Sequence, residues 1–284
     1  MYGLAADASN PLAVAAVFEA KGRPRFNPLI AHVADADAAE RIAVFGPDAR
    51  ALAQAFWPGP LTLVLPVRDR AAVCDLARAG LDTVAVRVPG HARAREAIDR
   101  FGGAVVAPSA NRSGRPSPTT YRDALEETGF AVGAALDGGP CAVGVESTVV
   151  SVTDGAARLL RPGAVTRAEL EAVVGPLARA EAEDAKRSPG RLAAHYAPDA
   201  PVRLNASAPG QGEAYLAFGP APEGERVFQL SAGRDLKEAA ANLFRLLREA
   251  DRTRPSAIAV APIPTEGLGE AISDRLRRAA GHVG

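Results

Sequence analysis

The 284-residue sequence predicts an α/β protein, and three features carry that prediction. Short runs rich in Val, Leu and Ala alternate with amphipathic helical patterns. The runs are apolar at consecutive positions, as strands covered on both faces require. Gly and Pro punctuate the joins, which bounds the elements and leaves few long structureless loops.

Residues 11–20 read as a helix opening on Asn10 before Pro11, a side-chain cap followed by a residue that needs no N–H partner there. Helical patterns recur at 35–44, 47–56, 91–101, 119–129 and 166–175. Ser117 before Pro118 is expected to cap the helix at 119–129, and Thr166 with Glu169 makes a capping box for the one after it. The strands are "LTLVLPV" (61–67), "TVAVRVP" (83–89), "GAVVAPS" (103–109) and "STVVSV" (147–152). "PLIA" leads into a short strand reaching His32, and another strand ends at Arg161 in "LLRPG". Residues 176–200 are charged, Ala-rich and broken by proline, a linker by composition. Beyond them "EAYLAFG", "RVFQLS", a helix at 235–252, "AIAVAPI" and a helix at 268–280 form a smaller α/β unit. Leu236, Ala239, Ala240, Leu243, Leu247 and Ala250 fall on one buried stripe of the first of those helices. The division is a first domain at 1–175, the linker at 176–200, and a second domain at 201–284.

Lys plus Arg equals Asp plus Glu, 33 each, so no global field draws the chain to nucleic acid or to a membrane surface, and any anion site must be local. Few aromatics, with Trp57 the only tryptophan, argue against direct tight RNA binding. Cys74 and Cys141 stand in neither a CxxC nor a metal-ligand spacing and read as small core residues in a reducing compartment. No leader and no long apolar window is evident, so no membrane role is expected and the cytoplasm is the default location. The phosphate loop GxxxxGK[ST], GxGxxG, GxSxG and HExxH are all absent, and no metal ligands are legible.

Polar residues instead gather in Gly/Pro loops at strand ends, where α/β proteins build sites. In "KGRPRFNPLIAH" (21–32), Arg23 and Asn27 each precede a proline and are held extended. Lys21, Arg23 and Asn27 suit a polyphosphate; a solvated basic loop and a structural His32 are the plain alternatives. "APSANRSGRPSPT" (107–119) presents Ser109, Asn111, Ser117 and backbone N–H groups, either to a nucleotide or merely to a turn. "DGGPCAVGVESTVV" (137–150) offers Ser147 to a substrate, with Glu146 open between surface and site. Arg87 lies among buried strand positions and so requires an anion, from an internal carboxylate or from a substrate. "SPGRLAAHYAP" (188–198) has more detail than a spacer needs, and His195 and Tyr196 could fold over a cleft as a lid or simply anchor the linker.

These motifs, with "YGLAADA", "FWPGPLTLVL" and "GLDTVAVRVP", stand in the order and spacing of the threonylcarbamoyl-AMP synthases, the YrdC-like family, from residue 2 to about 198. The tail is similar to the extra C-terminal domain of the longer members. The resemblance implies a twisted mixed sheet covered by helices, followed by a smaller Rossmann-like α/β domain. It implies formation of L-threonylcarbamoyladenylate and pyrophosphate from L-threonine, bicarbonate and ATP, with Mg²⁺ accompanying the nucleotide, for threonylcarbamoyladenosine modification of tRNA by a downstream transferase complex. It puts Lys21 and Arg23 in catalytic roles; with ATP it puts Lys21, Arg23, Asn27, Thr83, the backbone of Ala107, Ser109, Asn111, Ser117, Arg161 and Tyr196. With threonine it puts His32, Arg87 and Ser147, so that Arg87 meets the amino acid's carboxylate. Members begin with a further strand and a "PTETVYGL" turn, whereas this chain opens "MYGL". GUG encodes valine and also initiates, so the expectation is that a core strand and a threonine that binds substrate precede Met1. Two rival readings stand beside this one. Carbamoyl transfer in hydrogenase-type maturation would need acylphosphatase and zinc-finger segments, and the other rival is a nucleotide- or RNA-binding module without catalysis.

Overall fold

The computed structural model describes residues 1–180 and 195–281. In the first unit the strands are β1 (Ala6–Asp7), β2 (Ile30–His32), β3 (Leu61–Pro66), β4 (Thr83–Arg87), β5 (Val105–Val106), β6 (Thr148–Val152) and β7 (Ala157–Arg161). The helices are α1 (Pro11–Lys21), α2 (Ala36–Ile42), α3 (Pro47–Phe56), α4 (Asp75–Arg78), α5 (Ala92–Phe101), α6 (Tyr121–Thr128) and α7 (Arg167–Val174). The strands make one mixed sheet in the order β1-β5-β2-β4-β3-β6-β7. β2 runs parallel to β4 and β3 to β6, while β3 and β4 are antiparallel.

Strand alternation divides this sheet into two unlike faces. Val84, Val86 and Val88 point with Leu61, Leu63, Leu65 and Val150 into the main core, against helices that include Val14, Val17, Leu52 and Leu170. The register pairs Ile30 and Val64 with Ala85, and His32 with Arg87, so these residues share the opposite face. There only a small apolar patch forms, from Val64, Ala85, Val149 and Leu160.

Local chemistry sets the helix ends. The Asn10 side chain accepts from the N–H groups of Leu12 and Ala13, and the Thr166–Glu169 capping box is formed. Gly22, at φ +57°, ends α1 in the left-handed region and turns the chain into the 21–32 loop. Three expectations need correction. Ser117 does not cap the helix of 119–129; Thr120 does, accepting from Asp123 N, while the Ser117 hydroxyl is engaged by Glu146. The strand expected over 103–109 is only Val105–Val106, because Pro108 has no N–H and the chain beyond it runs beside the N-terminal residues, where Leu4 N donates to Pro108 O at 2.8 Å. Cys74 packs at the margin of the core, but Cys141 is half-buried outside every apolar cluster.

The second unit holds β8 (Val202–Arg203), β9 (Ala214–Phe218), β10 (Val227–Ser231), α8 (Leu236–Arg252), β11 (Ile258–Val260) and α9 (Leu268–Ala279). Its sheet is wholly parallel, in the order β10-β9-β11-β8. The expected stripe of α8 forms its core with Phe244 and, from α9, Ile272 and Leu276. No described helix is long and apolar enough to cross a membrane.

The helices of the second unit dock on the first through arginines. Arg248 pairs with Glu127 at 3.0 Å, Arg252 with Asp123 at 2.5 Å and Glu126 at 2.7 Å, and Arg275 with Glu146 at 2.8 Å. At Gly144, φ +70°, a Cβ would lie 2.1 Å from the Ala240 carbonyl oxygen, so the loop backbone rests directly on α8 and only glycine fits.

Candidate active site

The Lys21 side chain leaves the last turn of α1 and is 3% exposed. Its ammonium donates to the carbonyls of Ser109 and Asn111, and Ser113 N returns a bond to Lys21 O at 2.7 Å. The first and second polar turns are therefore one structure. Burial, and then Arg23, lower the Lys21 pKa to about 7 against an opposing pull from Glu127.

Arg23 spends two donors on its own loop, to Asn27 O at 3.3 Å and Pro28 O at 3.1 Å. Its field nevertheless couples to Tyr196 and Arg161, and burial brings its pKa down to about 10. Asn27 is buried, and its Nδ2 has no partner among the described residues. Asn111 donates to Arg112 O and Arg115 O while its Oδ1 likewise goes unmatched. Both amide atoms are thus buried polar groups without a partner among the described residues.

On the open face of the sheet, His32 Nδ1 lies 3.0 Å from Ile30 O. That carbonyl only accepts, so Nδ1 carries the proton and Nε2 is left as an acceptor. Burial, then Arg87, lower the His32 pKa to about 3, keeping the ring neutral. Arg87 donates from Nε to Gly59 O at 2.9 Å and has no ion-paired carboxylate among the described residues. Burial and Arg161 take its pKa to about 10. The internal carboxylate that the strand context allowed is therefore not seen among the described residues. Ser147 Oγ is 2.8 Å from Thr62 Oγ1 and accepts from Arg161, whose guanidinium also reaches Ser147 O at 2.9 Å.

Ser117 is fully buried and donates to Glu146 Oε1 at 2.8 Å; Glu146 is no surface carboxylate, because Arg275 holds its other oxygen. Burial raises the Glu146 pKa but Arg275 and Arg161 more than reverse it, so its carboxylate stays charged. Tyr196, at φ +63°, packs against His195 with ring centroids 4.0 Å apart and against Phe244 at 5.3 Å. The next residue ties back to the second turn through Ala197 N to Gly114 O at 2.7 Å. The remainder of the expected lid, 188–194, lies outside the described residues. Ala107 lies beside β2, its N donating to Ile30 O at 3.4 Å. Thr83 shares the face of Arg87 but starts the strand, four residues and about 13 Å away, and joins none of these bonds.

Hydrogen bonds thus join Lys21 to the carbonyls of Ser109 and Asn111 and join Ser147 to Arg161, His32 pairs with Arg87 across the register, and the fields of Arg23, Arg87 and Tyr196 all couple to Arg161. Two residues escaped the sequence. Thr62 was detectable from its alternation with Leu61 and Leu63; Arg275 was not, because only docking of the second unit makes it part of the site. Among the described residues, no group of three His, Cys, Asp or Glu gathers to hold a metal. The carboxylates near the cleft, Glu127 and Glu146, are committed to arginines.

Comparisons with known proteins give the family. A family model described as telomere recombination matches residues 1–163, and one described as the threonylcarbamoyl-AMP synthase C-terminal domain matches 165–281. The threonylcarbamoyl-AMP synthase of Bacillus subtilis is 38% identical over 302 residues, covering 99% of this chain and 87% of its own. That of Pyrococcus abyssi is 39% identical over 304 residues, covering 99% and 88%. The crystal structure of the P. abyssi Sua5 protein complexed with L-threonine superposes with a TM-score of 0.89 at 38% identity, covering 99% of this chain and 88% of the other. A second structure of that protein, carrying alanine in place of a histidine and a tyrosine, gives 0.88.

Proposed function

Since the chain belongs to the threonylcarbamoyl-AMP synthase family across both its units, we propose that its cleft joins a carbamylated threonine to the adenylyl group of ATP. The protein is a transferase that forms threonylcarbamoyl-AMP, the adenylate of tRNA threonylcarbamoyladenosine modification. The amine of threonine and bicarbonate give a carbamate; a carbamate oxygen attacks the α-phosphorus of ATP and pyrophosphate leaves. No protein nucleophile is needed, and rate comes from positioning and from cancelling developing charge.

The observation that carries the residue-level reading is Arg87: a largely buried guanidinium without an ion-paired carboxylate among the described residues, beside neutral His32 and coupled to Arg161, which holds the Ser147 hydroxyl. A threonine carboxylate supplies its counter-charge, and His32 Nε2 accepts from the ammonium or hydroxyl. Lys21, Arg23 and Asn27, with Ser109, Asn111 and the Ala107 backbone, take the triphosphate and nucleotide. Thr83 and Ser117 stand at the margins of that side, Arg161 spans the two substrates, and Tyr196 reaches back over them from the 176–200 linker. Each well-aimed donor contributes on the order of 3 kcal/mol to the transition state. Among the described residues no carboxylate cluster is free to build a cage for Mg²⁺, so the ion would arrive on the phosphates of ATP. Delivery to tRNA is left to a separate transferase complex, because the chain's neutral charge provides no field for holding RNA.

The test is to incubate the protein with ATP, L-threonine and bicarbonate, following pyrophosphate and detecting threonylcarbamoyl-AMP by mass spectrometry. Product that depends on all three substrates is expected. A protein that binds ATP yet releases no pyrophosphate is a binding module, and the reading fails.

A further inference from the structure

Arg275 is the least expected residue in the molecule. It lies on α9 of the second unit, is 1% exposed, and sends almost every donor away from its own helix. Nε reaches Glu146 Oε2 at 2.8 Å, one terminal nitrogen reaches Pro162 O at 3.0 Å, and the other pairs with the neighbouring Asp274 at 2.5 Å. The guanidinium carbon also stands 5.4 Å from the centre of the Tyr196 ring. An arginine is buried so completely only where it is fully paired, and a planar fork over an aromatic face fixes direction as well as charge.

What it touches is informative. Glu146 offers its other oxygen to Ser117 on the nucleotide side of the cleft, so the chain of contacts runs from α9 through Glu146 to the second polar turn. Pro162 directly follows Arg161, and Tyr196 is the residue with which the linker returns. One side chain therefore joins the segment entering β6, the turn leaving β7, and the linker. Glu146 also feels the field of Arg161.

We infer that Arg275 is a positioning residue for the reaction, supplied by the second unit, which holds Glu146 on Ser117 and Tyr196 over the cleft so that the nucleotide side is preorganised. This inference rests on the synthase reading above. It gives the second unit a place in the active-site geometry.

The test measures the affinity of the intact protein for α,β-methylene-ATP by calorimetry, alongside KM for ATP and for threonine. Arg275→Met is expected to weaken the analogue and raise KM for ATP at least tenfold, with KM for threonine moving less than threefold. Arg275→Lys, keeping the charge but not the fork, should recover part of the loss. In a Ser117→Ala background, Arg275→Met should add less than twofold, since the linkage is already cut; a merely structural role would add its full effect. Unchanged nucleotide affinity, or full additivity with Ser117→Ala, overturns the inference. Should Arg275→Met fail to fold, Glu146→Gln, of the same volume, must weaken the analogue at least threefold, and wild-type affinity there overturns the inference equally. A wild-type protein that binds the analogue but makes no product counts against the synthase reading alone.

Discussion

On one side of β4, Val84, Val86 and Val88 are sealed among leucines and helices; on the other, Ala85 is flanked by Thr83 and Arg87, with His32 beside Arg87 across the register. The same five-residue strand serves both faces. The apolar face follows the ordinary rule of maximal burial, with Leu61, Leu63 and Leu65 wholly inaccessible. The polar face buries cations: desolvation lowers the pKa values of Arg23, Arg87 and Arg161, and Arg161 lowers those of Arg23 and Arg87 further. Such a face is costly to bury, and on the proposed reading an entering anion relieves it, so stability is expected to be concentrated on one side of the sheet and binding on the other.

Substitutions that separate these roles sharpen the contrast. The largest effect is expected at Lys21 and Arg23: either to Ala should lower pyrophosphate release by about 10² to 10³-fold or more, with circular dichroism unchanged. Near-normal turnover in both would break the assignment of this loop to the triphosphate. Next come adjacent residues on opposite faces. Leu63→Ala should destabilise the fold by about 2–5 kcal/mol in urea melts, whereas Thr62→Val should spare most of the stability and raise KM for threonine severalfold through Ser147. Equal effects of the two on stability would deny the division of faces.

A pH series probes the same division without changing the core. Lys21 is charged up to its ordinary 10.5 when unfolded but only to about 7 in the fold. Between those values the unfolded chain holds more protons, so this residue makes the ligand-free protein more stable as pH rises from 7 toward 10.5. The Tm difference between wild type and Lys21→Met should shift in that window, and ATP binding near pH 8 should take up a proton, measurable by calorimetry in buffers of different ionisation enthalpy. His32 acts at the acid end: neutral in the fold down to about 3 against an ordinary 6.5, it removes stability as pH falls below 6.5. A His32→Gln variant should lose less on acidification. The smallest effect belongs to Arg252, whose pairs with Asp123 and Glu126 are partly open to solvent; Arg252→Gln should change stability by about 0–1 kcal/mol and less in high salt.

How much was legible from sequence varies with how local the cause is. The α1 cap at Asn10 and the box at Thr166 are contained in four residues each, and both form as read. The Lys21 loop was recognisable because two prolines stiffen it, and its ammonium does reach the second polar turn. Ser117 was misassigned because its neighbours suggested a cap, while its actual partner, Glu146, lies 29 residues away. Arg275 left no trace in its own helix, since Glu146 and Pro162, which it joins to the site, sit more than 100 residues upstream.

What the chain's order of residues determined alone is the set of elements, the apolar faces that must pack and the polar turns that must stay near strand ends, because periodicity, caps and proline act within a few bonds. Which face of the sheet would be left to hold charge, which arginine would lack a carboxylate, and which helix would close the ring around Glu146 were decided only by tertiary packing. Those outcomes depend on distances between segments remote in sequence, and no local preference encodes them.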